Sequence, residues 1–150
     1  MSGLYQTRLL ATLAFAAFAA TAASAQSYRA INYLVVVPLN ATDFEVIEAR
    51  GEGARGIWCA AADFAEHALR RDRGGRIYVK TARGPSISGV GRKGVVFTTD
   101  PNRLDQPPST SHSVSVRQVG QGLPIHHAAQ FCKDYIIELE DILYRRKGNN

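Results

Sequence analysis

Apolar and polar positions along this chain alternate between the period of a strand and that of a helix. Tyr28–Val37 (YRAINYLVVV) is aromatic and β-branched and ends in a near-continuous apolar run. That predicts a strand buried on both faces, central in a sheet. Pro38 ends it, and Asn40-Ala41-Thr42-Asp43 is turn chemistry. Phe44–Ala49 sets Phe44 and Val46 imperfectly against Glu45 and Glu48, as the second strand of a hairpin would. Beyond the flexible Gly51–Gly56 the period lengthens. Ile57, Trp58, Ala61, Phe64, Ala65, Ala68 and Leu69 make one stripe of a helix over Ile57–Arg71. Arg70 and Arg71 suit its negative end, and Gly74-Gly75 stops it.

The second half repeats the theme. Arg76–Thr81 alternates Ile77 and Val79 against Tyr78 and Lys80, a half-buried strand. Ala82–Lys93 reads as a long, polar, glycine-rich loop, and Gly94–Thr99 as the next strand. Asp100–His112 is proline-rich and aperiodic, an extended surface loop. Ser113–Val119 alternates cleanly and reads as a fifth strand. Gly120-Gln121-Gly122 punctuates, and Pro124 suits the first turn of a helix over Ile125–Arg145. Ala128, Cys132, Tyr135, Leu139 and Ile142 recur along that helix at spacings of four and three, with Asp134, Glu138 and Asp141 off the stripe. The order ββαβββα predicts an α+β layer: a five-stranded, mainly antiparallel sheet with both helices packed on one face.

The first residues change where this domain is expected to live. Arg8, the uncharged Leu9–Ala20 and the small-residue motif Ala23-Ser24-Ala25 have the three parts of a secretory signal, cleaved before Gln26. Residues 26–150 then form one domain, periplasmic or secreted, without a second run long enough to span a bilayer. In an oxidising compartment the only two cysteines, Cys59 and Cys132, are expected to form a disulfide. Closing the long loop between them would remove roughly 4 kcal/mol of unfolded-chain entropy.

Charge is uneven. The formal net charge of +5 is concentrated in Arg70, Arg71, Arg73, Arg76, Lys80, Arg83, Arg92 and Lys93, with Asp72 the only acid among them. Such a run reads as a basic patch facing an anionic ligand, envelope polymer or acidic protein, or as a solvated guard on exposed strands. The best surface-site candidates are Arg83, Ser86, Ser88, Arg92 and Lys93, joined by Arg76 and Lys80. In RGPSISGVGRKG the glycines would expose backbone N–H groups that could form an anion-binding concavity.

Other chemistry is thinner. Gly89–Val96 (GVGRKGVV) fits the letters of a nucleotide-binding glycine loop. Its third glycine opens a strand where a dinucleotide fingerprint needs a helix, and the remaining kinase motifs are missing. No cofactor is implied, and no metal site: Asp63 and His67 have i, i+4 spacing but no third ligand within sequence reach. Adjacent His126 and His127 diverge by about 100° on a helix. No specific nucleic-acid motif occurs.

Trp58–Ala65 (W-C-x-x-x-D-F-A), Arg83–Ser86 (R-G-P-S), Gly91–Lys93 (G-R-K) and Phe131–Tyr135 (F-C-x-D-Y) resemble short exported proteins of alphaproteobacteria that carry no assigned activity. The resemblance implies a periplasmic or secreted location and brings no catalytic residue. Three functional readings follow: a binding domain with a basic β-hairpin, a small hydrolase-like or other periplasmic enzyme using His126 or His127 near Ser86 and Ser88 or near the acids, and an envelope structural protein without a discrete ligand.

Overall fold

A computed structural model describes residues 26–147. Residues 1–25, where a signal segment is expected, residues 148–150 and the side chains of Glu138 and Leu139 lie outside the described residues. The fold is the expected α+β layer, with one antiparallel sheet of six strands in the order β1-β2-β3-β5-β4-β6. The strands are β1 (Tyr28–Arg29), β2 (Val35–Pro38), β3 (Asp43–Ile47), β4 (Arg76–Pro85), β5 (Lys93–Thr98) and β6 (Gly122–Pro124). The helices are α1 (Ala54–His67), α2 (Ile125–Ala129) and α3 (Lys133–Lys147). Among the described residues no helix is long and apolar enough to cross a membrane.

The core follows from the two-residue period of the central strands. Phe44 and Val46 of β3, Ile77 and Val79 of β4, and Val95 and Phe97 of β5 are buried in one cluster with Trp58, Phe64 and Ala65 of α1. Phe64 packs on Phe44 at 4.7 Å between ring centroids, and Trp58 stands edge-on to Phe97 at 4.9 Å. The predicted disulfide is present: Cys59 of α1 joins Cys132 across a sequence separation of 73. It ties α1 to the 3-10 turn Gln130–Cys132 that follows α2.

Five expectations about the elements are corrected. The first strand is not one run. Tyr33 takes φ 65°, and buried Asn32 donates to the Gly56 carbonyl while accepting from the Leu34 amide. This turn folds Tyr28 back onto Val36, so the segment makes an edge hairpin. α1 begins earlier, at Ala54, and stops at His67; Arg70 at φ 53° turns the chain out, so the two arginines lie beyond the helix. β4 runs on to Pro85 through two irregularities, near Thr81 and before Gly84, converting Ala82–Pro85 of the expected loop into strand.

The expected strand Ser113–Val119 does not form. The amides of Ser111, Ser113, Ser115 and Arg117 each donate to the hydroxyl two residues earlier, on Ser109, Ser111, Ser113 and Ser115. Local serine turns thus take the N–H groups that a ladder needs. Only isolated bonds reach β4, such as Arg83 N–H to Val116 O at 2.8 Å. The sixth strand is instead Gly122–Pro124, paired with Arg76–Tyr78. Finally, the long last helix is interrupted: the 3-10 turn at Gln130–Cys132 separates α2, which packs on α1, from α3, which touches mainly that turn.

Candidate anion-binding face

β3 presents its other set of side chains, Asp43, Glu45 and Ile47, to the sheet face away from α1, and all three are buried. Two carboxylates in such a place need partners, because burying an unpaired charge is costly. The chain supplies them from β4 and from the loops that close over this face.

Asp43, 3% exposed, accepts from Lys80 Nζ at 2.6 Å and from Arg103 Nε at 2.9 Å. Burial pushes this carboxyl up, but hydrogen bonds from Arg103, Lys80, Asn40 and Thr98 outweigh it and hold Asp43 well below the usual carboxylate range. Arg103 arrives on the turn Pro101–Arg103, whose first residues are capped by the Asp100 side chain.

Glu45 is fully buried, and the hairpin between β4 and β5 is folded around it. Its oxygens accept from the Ile87 amide at 2.9 Å, the Ser88 amide at 2.9 Å and the Ser86 hydroxyl at 3.1 Å. These loop donors therefore face the chain's own glutamate. The glycines of GVGRKG serve this arrangement. A Cβ on Gly94 would strike the Glu45 carboxylate, one on Gly91 would strike Ile47, and Gly89 adopts φ +72°. The nucleotide-like spacing is thus a requirement of hairpin packing.

Glu48 completes the series at the end of β3. Arg83 grips it with both nitrogens, Nε to Oε2 at 2.5 Å and Nη2 to Oε1 at 2.7 Å. Arg83 first, then the nearby charges of Lys93 and Arg117, lower the Glu48 pKa, and Glu48 in turn raises that of Arg83.

Beyond Glu48 the surface opens into two adjoining concavities. One of about 360 Å³ is lined by Glu48, Glu52, Gly53, Arg83, Ser115 and Arg117, among others. A second of about 290 Å³ is lined by Glu48, Arg50, Gly51, Arg92 and Lys93. The first contains the start of α1, where Gly53 offers no side-chain cap and no acid lies in the first turn. The Glu52 carboxylate, just ahead of the helix, lies against this turn at Gly56. Across both, the cations Arg50, Arg83, Arg92, Lys93 and Arg117 meet only two carboxylates, and Glu52 already accepts the Tyr135 hydroxyl proton. Arg50, Arg92, Lys93 and Arg117 are exposed and, among the described residues, enter no ion pair.

The sequence-predicted site residues therefore separate. Arg83, Arg92 and Lys93 come together here. Ser86 and Ser88 point to Glu45, and Lys80 is committed to Asp43. Arg76 lies at the opposite end of β4, roughly 30 Å away along the strand. It donates to the Gly122 carbonyl at 3.0 Å and lies over the Tyr78 ring. Arg73 reaches Glu66 at 3.5 Å. Sequence reasoning missed Arg50 and Arg117, which stand outside the basic run, missed Asp43 and Glu48 as its counter-charges, and missed Glu45 as the acceptor of the loop's donors. Asp43 and Glu45 could have been found from their alternation with Phe44 and Val46, since a strand inside the sheet must bury both sets.

All four histidines are exposed. His67 Nδ1 lies 3.0 Å from Asp63, whose other oxygen accepts from Tyr28 and the Ile31 amide. His126 contacts the Arg73 carbonyl at 3.1 Å, and His127 tilts over Phe131. Ser86 and Ser88 make their hydrogen bonds to Glu45 and to each other. Among the described residues, no group of three or more His, Cys, Asp or Glu side chains is placed to hold a metal. No family model matches the chain, and neither does any curated protein or solved structure.

Proposed function

We propose that this is an exported, disulfide-stapled binding domain that takes an anionic partner on the face formed by Arg50, Arg92, Lys93 and Arg117. The observation that carries this reading is a local excess of exposed cations around a carboxylate that Arg83 already neutralises. An arginine held in a bidentate pair contributes little to a passing anion. The unpaired neighbours contribute most, because their charge is not compensated nearby. The shape of the face supports a polyanion lying across both shallow concavities, such as a sulfated or phosphorylated polysaccharide or an acidic protein segment. The signal-like first 25 residues and the disulfide support export before Gln26.

Retention on heparin, as a model polyanion, tests the reading. The wild-type domain should be retained at low salt and elute as salt rises. Charge reversal of Arg92 and Lys93 together, or of Arg117, should lower the eluting salt concentration, whereas reversal of Arg76 at the far end of β4 should change it little. Equal effects at Arg76 and at Arg92 with Lys93 would reduce the face to nonspecific net charge and reject it.

A further inference from the structure

We infer that α3 is a self-association helix that pairs antiparallel with α3 of a second copy of this chain. The helix departs from the body after the turn that carries Cys132. The tie seen from its first turn to the domain is the Tyr135 hydroxyl bond to Glu52. Along the rest it exposes large apolar side chains: Ile136 at 41%, Ile137 at 64%, Ile142 at 53%, Leu143 at 63% and Tyr144 at 81%. Such a run is unusual on a surface helix and marks an interaction surface.

The order of side chains selects the occupant. Tyr135-Ile136-Ile137 is followed, after four residues, by Ile142-Leu143-Tyr144, so the apolar pattern reads nearly the same in both directions. A two-fold axis beside the helix midpoint brings each residue level with its mirror position in the second copy. Ile136 then meets Leu143 across the seam, and Asp134 comes level with Arg145 on the outer side. Ile136 and Leu143 are two turns apart and share one line along the helix, the spacing of a helix–helix seam.

Charge favours the same direction. Asp134, Glu140 and Asp141 lie in the first two thirds, and Arg145, Arg146 and Lys147 form the last turn. An antiparallel pair sets the acidic part of each helix toward the basic end of the other and opposes the two helix dipoles. A parallel pair would stack the three cations against their copies. The Asp141–Arg145 ion pair, at 3.1 Å, lies about half a turn from the Ile136–Leu143 line and stays outside the seam. A membrane surface fits less well, because an interfacial helix carries a basic polar face and this one interleaves acids.

Sedimentation velocity of the disulfide-intact protein over a concentration series tests the pairing. A monomer–dimer equilibrium is expected, and Ile136→Glu with Leu143→Glu should return a monomer whose far-ultraviolet circular dichroism matches that of the wild type. Direction is read by oxidation of single-cysteine variants. Glu140→Cys, near the axis, should give a covalent dimer. Tyr144→Cys should not, because antiparallel copies hold it too far from itself for a disulfide. A wild-type protein monomeric at every concentration overturns the inference, including one that instead binds phosphatidylglycerol vesicles through α3. Preferential cross-linking at Tyr144→Cys overturns it as well.

Discussion

Glu45 shows what a single buried carboxylate can organise. It sits between β2 and β5 in the middle of the sheet, and its two oxygens collect the donors of Ser86, Ile87 and Ser88. Hydrogen bonds to an ionised acceptor are stronger than neutral ones, and an amide at this position would turn one end of the side chain into a donor facing donors. Glu45→Gln should therefore cost about 3 kcal/mol in urea unfolding and accelerate hydrogen exchange at the Ile87 and Ser88 amides. Unchanged exchange at those amides would mean the hairpin folds without its internal anion. Gly94 is coupled to the same group, because a methyl there would collide with the Glu45 carboxylate. Gly94→Ala should cost about 1–3 kcal/mol alone and markedly less in a Glu45→Ala background, where the collision is gone. Strict additivity in that double-mutant cycle would contradict the contact.

At the scale of elements, the Cys59–Cys132 bridge joins the first helix to the turn that breaks the last one. Replacing both cysteines with serine should lower stability by roughly 4 kcal/mol, seen as a fall in the urea midpoint that reductant reproduces in the wild type. A variant as stable as the parent would mean the helices need no staple. This element was legible from the sequence, since two lone cysteines behind a signal-like first segment are expected to pair. α1 was legible too, because its apolar stripe survives shifts of a few residues at either end. The serine-rich segment was not: Ser113, Ser115 and Val114, Val116 alternate as a strand would, yet the hydroxyls capture the amides locally. Gly122–Pro124 was missed because three residues carry no period. In the candidate face, Arg83, Arg92 and Lys93 stood out as a run, whereas Arg50 and Arg117 join them only through the fold.

Across the whole molecule, an electrostatic layer runs along β3: Lys80 and Arg103 on Asp43 and backbone amides on Glu45 at the face away from α1, then Arg83 on Glu48 beside the start of α1. Its pH dependence has a definite sign. Asp43 and Glu48 both have folded pKa values below their ordinary ones. Each thus contributes stability that is fully present above the unfolded carboxylate pKa of about 4. That contribution is lost as pH falls through the lower folded value, because the unfolded chain then binds more protons than the native one. Stability should be nearly level from neutrality down to about pH 5 and then decline steeply with acid. Tyr28 and Tyr135 act at the other limit. Burial first, then the bonds to Asp63 and Glu52, push each hydroxyl up to about 12. Their contribution holds below about pH 10 and disappears as pH rises through the folded value. Asp43→Asn separates this layer from general acid unfolding. The variant should be much less stable than wild type at pH 7, because Lys80 and Arg103 lose their shared counter-charge. The difference should narrow continuously as pH falls, since protonation removes the same charge from the wild type. Urea midpoints measured for both proteins across that range decide it: parallel curves would show that the Asp43 carboxylate is no part of the acid response, and converging curves that it is.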